Sequence, residues 1–176
     1  MQSRTSRSSA SAPGDWPEGF ELVEDFLDAS EEAALIEFTG TVSFGVVRMH
    51  GVEAKRRVAQ FGWRYSFESY RLTPAQALLG LRERVAARAG IAAEGFSEVL
   101  VTEYPPGAGI GWHRDAPHFG IVAGVSLGAC RMRFRRGEAR QRETAAVDLA
   151  PRSLYLLTGS ARTEWRHTIP PVKELR

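Results

Sequence analysis

Residues 121–136 read IVAGVSLGACRMRFRR, two short stretches rich in strand formers and parted at Gly128. In the second, apolar Cys130, Met132 and Phe134 alternate with Arg131, Arg133 and Arg135, the period of a strand with one face buried. Similar short stretches lie on both sides, over residues 97–104, 145–149, 153–157 and 164–169. Turn signals part them: Pro105-Pro106-Gly107, Gly137, Pro151 and Gly159. Closely spaced strands with turns between them specify a β-sandwich or barrel.

The first half reads differently. Residues 20–26 form a short strand, and Asp28 or Ser30 caps a helix reaching about Phe38, with Glu31 and Glu32 in its first turn. Residues 41–49 and 57–67 are further strands, with a turn at His50-Gly51. Thr73-Pro74 starts a second helix that runs through Leu78, Leu81 and Val85 to Gly90. Two helices before a run of strands make the class α+β, mainly β, rather than α/β.

With 176 residues there is room for one domain, expected over 16–176 after a disordered tail at 1–15. The apolar runs fall far short of the roughly 18 residues a membrane span needs. The net charge of +2 is misleading: Arg4 and Arg7 stand in an acid-free tail, and without them 21 basic residues face 21 acidic ones. Global charge therefore argues for no partner. One cysteine, Cys130, excludes an internal disulfide and a thiolate metal cluster, and with no hydrophobic leader run it fits a cytoplasmic protein.

Chemistry narrows to a few residues. His113 and Asp115 stand two apart, so on a strand or its extension they share a face. His167, in the last expected strand, supplies a third donor. Two imidazoles and one carboxylate form the facial triad that leaves positions open on non-haem Fe(II). A hydrogen-bonded surface pair is the competing reading, and the two stand even on these residues alone. His50 and His118 read as loop residues. His113-Arg114-Asp115 is also a kinase tripeptide, but that pattern needs an Asn where Gly120 stands, and the phosphate loop is absent. There is no Gly-x-Ser-x-Gly elbow, and Lys55 and Lys173 are the whole lysine complement.

Tyr104-Pro105-Pro106-Gly107, Gly111-Trp112-His113-Arg114-Asp115, and Val125-Ser126-Leu127-Gly128 together resemble the core of the AlkB family of Fe(II)/2-oxoglutarate dioxygenases. Residues 158–162 and 165–170, including His167, resemble that family's distal-histidine segment. Residues 57–65 resemble the hairpin it places over its substrate. The resemblance implies a double-stranded β-helix (jelly-roll) core with the two helices of the N-terminal half packed on it. It also implies His113, Asp115 and His167 as iron ligands, with Tyr104 and Arg176 on the cosubstrate 2-oxoglutarate. O2 is the co-reactant. Trp63 and Tyr65 become candidate substrate contacts, although core packing serves them equally well.

Three departures qualify the resemblance. The family ends on two arginines six residues apart; Arg176 matches the first, where the sequence stops, so the closing strand is expected to be missing and Arg176 to fray. If 176 is the natural end, cosubstrate binding should be weak. Thr102 stands where many members carry Asn. Pro117 stands where nucleic-acid demethylases often carry an acid that contacts the base.

Local charge favours nucleic acid. Arg131, Arg133, Arg135, Arg136, Arg140 and Arg142 crowd one segment, and Arg48, Lys55, Arg56, Arg57 and Arg64 gather near Trp63 and Tyr65. A solvated sheet face is the competing explanation in so arginine-rich a chain. The function expected is oxidative demethylation of alkylated nucleic-acid bases, as in alkylation repair, by a monomer that spends 2-oxoglutarate and O2 and releases formaldehyde. Two alternatives stand beside it: the same chemistry on a tRNA nucleoside, protein or small molecule, and a non-catalytic binding module.

Overall fold

Period-2 patterning in the second half becomes two facing sheets in the computed structural model, which describes residues 15–49, 52–62, 76–138 and 141–176. The chain runs β1 (Phe20–Val23), α1 (Ala29–Gly40), β2 (Gly45–Met49), β3 (Val52–Gly62), α2 (Gln76–Ala89) and a 3₁₀ turn at Ala93–Gly95. Then come β4 (Glu98–Glu103), β5 (Ile110–His113), β6 (Val122–Val125), β7 (Cys130–Arg136), β8 (Glu143–Leu149) and β9 (Leu154–Leu157). The short helix α3 (Gly159–Thr163) precedes β10 (Arg166–Ile169).

Asp28 is the helix cap expected of it. Its carboxylate accepts from the Ser30 and Glu31 amides while the Glu31 side chain accepts from the Asp28 amide, a reciprocal capping box. Two elements were not expected. β5 is only four residues and lacks a clear alternation, and α3 is five residues, too short to carry a helical period. The expected strand at 164–169 accordingly begins at Arg166, after α3. The turn at His50-Gly51, the helix start at Thr73-Pro74, and Trp63, Arg64, Tyr65 and Arg140 lie outside the described residues.

The pairing is antiparallel throughout, in sheets ordered β1-β9-β6, β5-β10-β7-β8 and β2-β3-β4. From β5 to β10 the chain passes back and forth between the first two sheets, the winding of a jelly roll. Met132 and Phe134 of β7 and Ala145, Val147 and Leu149 of β8 face Phe20, Leu22, Val122, Tyr155 and Leu157 of the opposite sheet. Burying each large side chain among these stabilises the fold by about 1.5–3 kcal/mol. The other face of β9, Leu154 and Leu156, packs against Leu81 and Val85 of α2. β9 is thus covered on both sides, which explains why its sequence, Leu154-Tyr155-Leu156-Leu157, is apolar throughout.

Candidate active site

Alternation along β5 and β10 turns His113 and His167 to the inside, and the register of the two strands sets them directly opposite one another. Their ring centroids are 4.2 Å apart. Asp115, two residues past His113, brings Oδ1 to 3.7 Å from His113 Nε2 and Oδ2 to 3.7 Å from His167 Nε2. One ligand atom from each of the three lies within 4.8 Å of the others. The Gly111 carbonyl, 2.8 Å from His113 Nδ1, holds the proton there and leaves Nε2 free to face the cluster.

Asp115 Oδ2 is buried and has no hydrogen-bond partner. A buried orphan carboxylate oxygen costs stability unless something else meets it. Two imidazoles and this carboxylate form the donor set for a divalent first-row metal.

The charges are arranged to suit a cation. Burial chiefly pushes His167 down, to about 4, with the neighbouring His113 and Arg162 adding to it against the pull of Asp115. Its imidazole is therefore neutral, the form that ligates. Burial would raise Asp115, but the nearby His113, His167 and Arg162 outweigh it and hold the carboxyl below its ordinary value.

Tyr104 and Arg176 come together beside this cluster. The two exchange backbone hydrogen bonds, Tyr104 N to Arg176 O at 2.7 Å and Arg176 N to Tyr104 O at 3.1 Å. The guanidinium of Arg176 donates to Ser126 Oγ (2.8 Å) and to the Gly128 carbonyl (2.9 Å). It does not fray as expected: main chain and side chain are both paired. Gly128 makes this possible, because a Cβ there would sit 2.9 Å from Arg176 Cγ. Burial raises the Tyr104 phenol above its ordinary value, Arg176 opposing, so it stays a protonated donor.

Two residues near the site were not assigned to it from the sequence. Tyr155 faces it from the opposite sheet, its phenol pushed up mainly by burial and next by Asp115. Gly124 across the strand pair leaves room for that ring, which would overlap any Cβ there. Arg162 of α3, 5% exposed, donates to the Ala116 carbonyl just beyond Asp115. Its segment matched a motif, but only the fold aims its side chain at the Asp115 loop.

The remaining expected residues fall elsewhere. Trp63, Tyr65 and His50 are outside the described residues. His118 is exposed beside Phe119, away from the triad. Thr102 sits in β4 opposite Val58, and Pro117 is exposed. Cys130 is a half-buried free thiol whose ionisation burial pushes up. No described helix is long and apolar enough to cross a membrane.

The chain is similar to known proteins. The family model described as the 2OG-Fe(II) oxygenase superfamily matches residues 19–175. A mouse protein named tRNA (carboxymethyluridine(34)-5-O)-methyltransferase ALKBH8 is 30% identical over 174 residues, covering 89% of this chain and 25% of its own. An Arabidopsis thaliana protein named alkylated DNA repair protein ALKBH8 homolog is 28% identical over 182 residues, covering 86% of this chain and 51% of its own. The chain thus spans a quarter and about half of these two relatives. Among solved structures, OsALKBH1 superposes with a TM-score of 0.66 at 16% identity, over 90% of this chain and 88% of that one. A 2OG-Fe(II) family oxidoreductase of Burkholderia pseudomallei reaches 0.63 at 15%, over 90% and 81%.

Proposed function

We propose, for a chain that belongs to the 2OG-Fe(II) oxygenase superfamily, that it oxidatively demethylates alkylated nucleic-acid bases. The family's cofactors are Fe(II), 2-oxoglutarate and O2, and the enzyme is an AlkB-like 2-oxoglutarate-dependent dioxygenase. Bound iron would supply oxidation of a C–H bond coupled to decarboxylation of 2-oxoglutarate to succinate.

The residues divide the work. His113, Asp115 and His167 would hold the metal, and the orphan Oδ2 of Asp115 beside the neutral His167 imidazole is the observation that carries this reading. Arg162, through Ala116, keeps the Asp115 segment in place. Tyr104 would donate its phenolic proton to a cosubstrate carboxylate, next to the Arg176 cation. No side chain has to move a proton for a methyl hydrogen to be taken, so the chain's task is binding and orientation. A base in a stack must be turned out to reach the triad.

The nucleic-acid substrate is supported by the arginine groups and by the names of the two relatives, one of tRNA and one of alkylated DNA. A tRNA nucleoside is the second reading, favoured by Pro117, which cannot make the acidic base contact. A cytoplasmic setting fits the single cysteine.

The test is succinate formation with Fe(II), with and without N-methylated oligonucleotides or tRNA. Stimulation by methylated strands with formaldehyde released supports demethylation. Turnover that no nucleic acid stimulates refutes it.

A further inference from the structure

The arginine run of β7 is one group in sequence and two in space. Arg131 is held by Asp148, at 3.0 and 2.9 Å. Arg136 is held by Glu143 and Glu164, each at 2.9 Å. Among the described residues, Arg135 has no carboxylate within ion-pair distance. Its guanidinium lies 4.3 Å over the ring of Trp112, reaching across β10 to β5.

Its neighbours are cations. The residue directly opposite Arg135 on β10 is Arg166, and Arg142 stands just before β8. Arg142 and Arg166 are exposed. Like charges directly opposite on an antiparallel pair destabilise it. Desolvation first, then Arg142 and Arg166, hold Arg135 below its ordinary value, so the three charges sense one another. Strand alternation puts Trp112, Arg135 and Arg166 on the outer face of the β5-β10-β7-β8 sheet, since their neighbours His113, Phe134 and His167 point inward. The cluster therefore backs the two strands that carry the histidines, and β5 is the edge strand.

Such a cluster lowers its own repulsion when it meets closely spaced anions. The Trp112 ring anchors the Arg135 guanidinium by a cation–π contact, and that fork can take a phosphate in two parallel hydrogen bonds. We propose that the Arg135, Arg142 and Arg166 face, ordered by Trp112, grips the phosphodiester backbone of a single-stranded polynucleotide and holds it across the β5 edge beside the triad. The inference rests on the nucleic-acid reading and goes beyond it by assigning the surface.

Fluorescence anisotropy of a short labelled single strand of mixed sequence, DNA and RNA in turn, between about 50 and 200 mM salt tests it. Replacing all three, Arg135→Gln, Arg142→Gln and Arg166→Gln, should weaken binding at least tenfold and flatten the log–log salt slope by about 2, roughly 0.7 per lost phosphate contact. Arg142→Gln alone, outside the strand pairing, should flatten it by about 0.7. The paired variant Arg131→Gln with Arg136→Gln should leave the slope as it is. Succinate formation without nucleic acid should be unchanged in the triple variant, whose melting temperature should not fall because repulsion is relieved. If wild type makes succinate yet binds no strand, the nucleic-acid reading falls, and this surface with it. If wild type binds with a steep slope and the triple variant keeps that slope, only this surface is overturned. Equal losses in the triple and paired variants also overturn it.

Discussion

Asp115 Oδ2 stands 3.7 Å from His167 Nε2, buried and without a hydrogen-bond partner. Neutral His167 repels no cation, and the lowered Asp115 stays charged, so the pair is set for a metal rather than for each other.

Asp115→Asn keeps the shape and removes the charge. Fe(II) affinity, measured under nitrogen, should fall by more than the roughly 10–100-fold that loss of an outer-shell partner costs. The chelated variant should melt somewhat below chelated wild type, since the fold favours the ionised carboxylate that has gone. Unchanged metal affinity would remove Asp115 from the ligand set.

Acid should destabilise the metal-free fold. His167 has a folded value below its unfolded one, so the unfolded chain takes up the proton first as pH falls. Stability present above about pH 6.5 is then lost progressively down to about pH 4, by at most about 3 kcal/mol. The lowered Asp115 adds a loss further down, as pH passes through its folded value. Urea unfolding with chelator at stepped pH should show this slope, and His167→Gln should remove most of it. A flat wild-type profile would contradict it.

Arg162→Met should cost about 1–3 kcal/mol, because it deletes a buried guanidinium and leaves the Ala116 carbonyl without its donor. The Asp115 loop would loosen, so Fe(II) affinity should drop as well. Arg162→Lys should recover part of the affinity. A variant that lost stability with metal binding intact would make Arg162 a packing residue only.

Gly128→Ala places a methyl against Arg176 and should push its guanidinium off Ser126 and Gly128. Calorimetric titration should then show 2-oxoglutarate binding weakened roughly tenfold, the worth of one or two hydrogen bonds. Fe(II) affinity should hold, because Arg176 touches none of the triad. Intact cosubstrate affinity would take Arg176 out of that role.

Phe134→Ala should destabilise by about 3–5 kcal/mol. Phe134 is fully buried, meets Phe20 at 5.1 Å between centroids and lies 6.3 Å from His167. Thermal unfolding measures it directly.

What the sequence determined by itself was local. Alternation such as Met132 and Phe134 against their arginines names a strand and its buried face. Asp28 with Glu31 names a helix start, and spacing puts His113 and Asp115 on one side of the chain. These are properties of a few neighbouring residues, set by backbone geometry. β5 and α3 were illegible because elements of four or five residues are too short to show a period.

Tertiary structure decided what depends on register between distant strands. The β5–β10 pairing, not spacing, sets His167 against His113. The β7–β8 and β7–β10 pairings give Arg131 and Arg136 their acids and leave Arg135 facing Arg166. Tyr155 and Arg162 reach the site only because β9 and α3 are folded against it. Sequence spacing fixes which face a side chain takes, whereas its partner is chosen by pairing across the sheet, where one residue of slip would turn every contact to the other side.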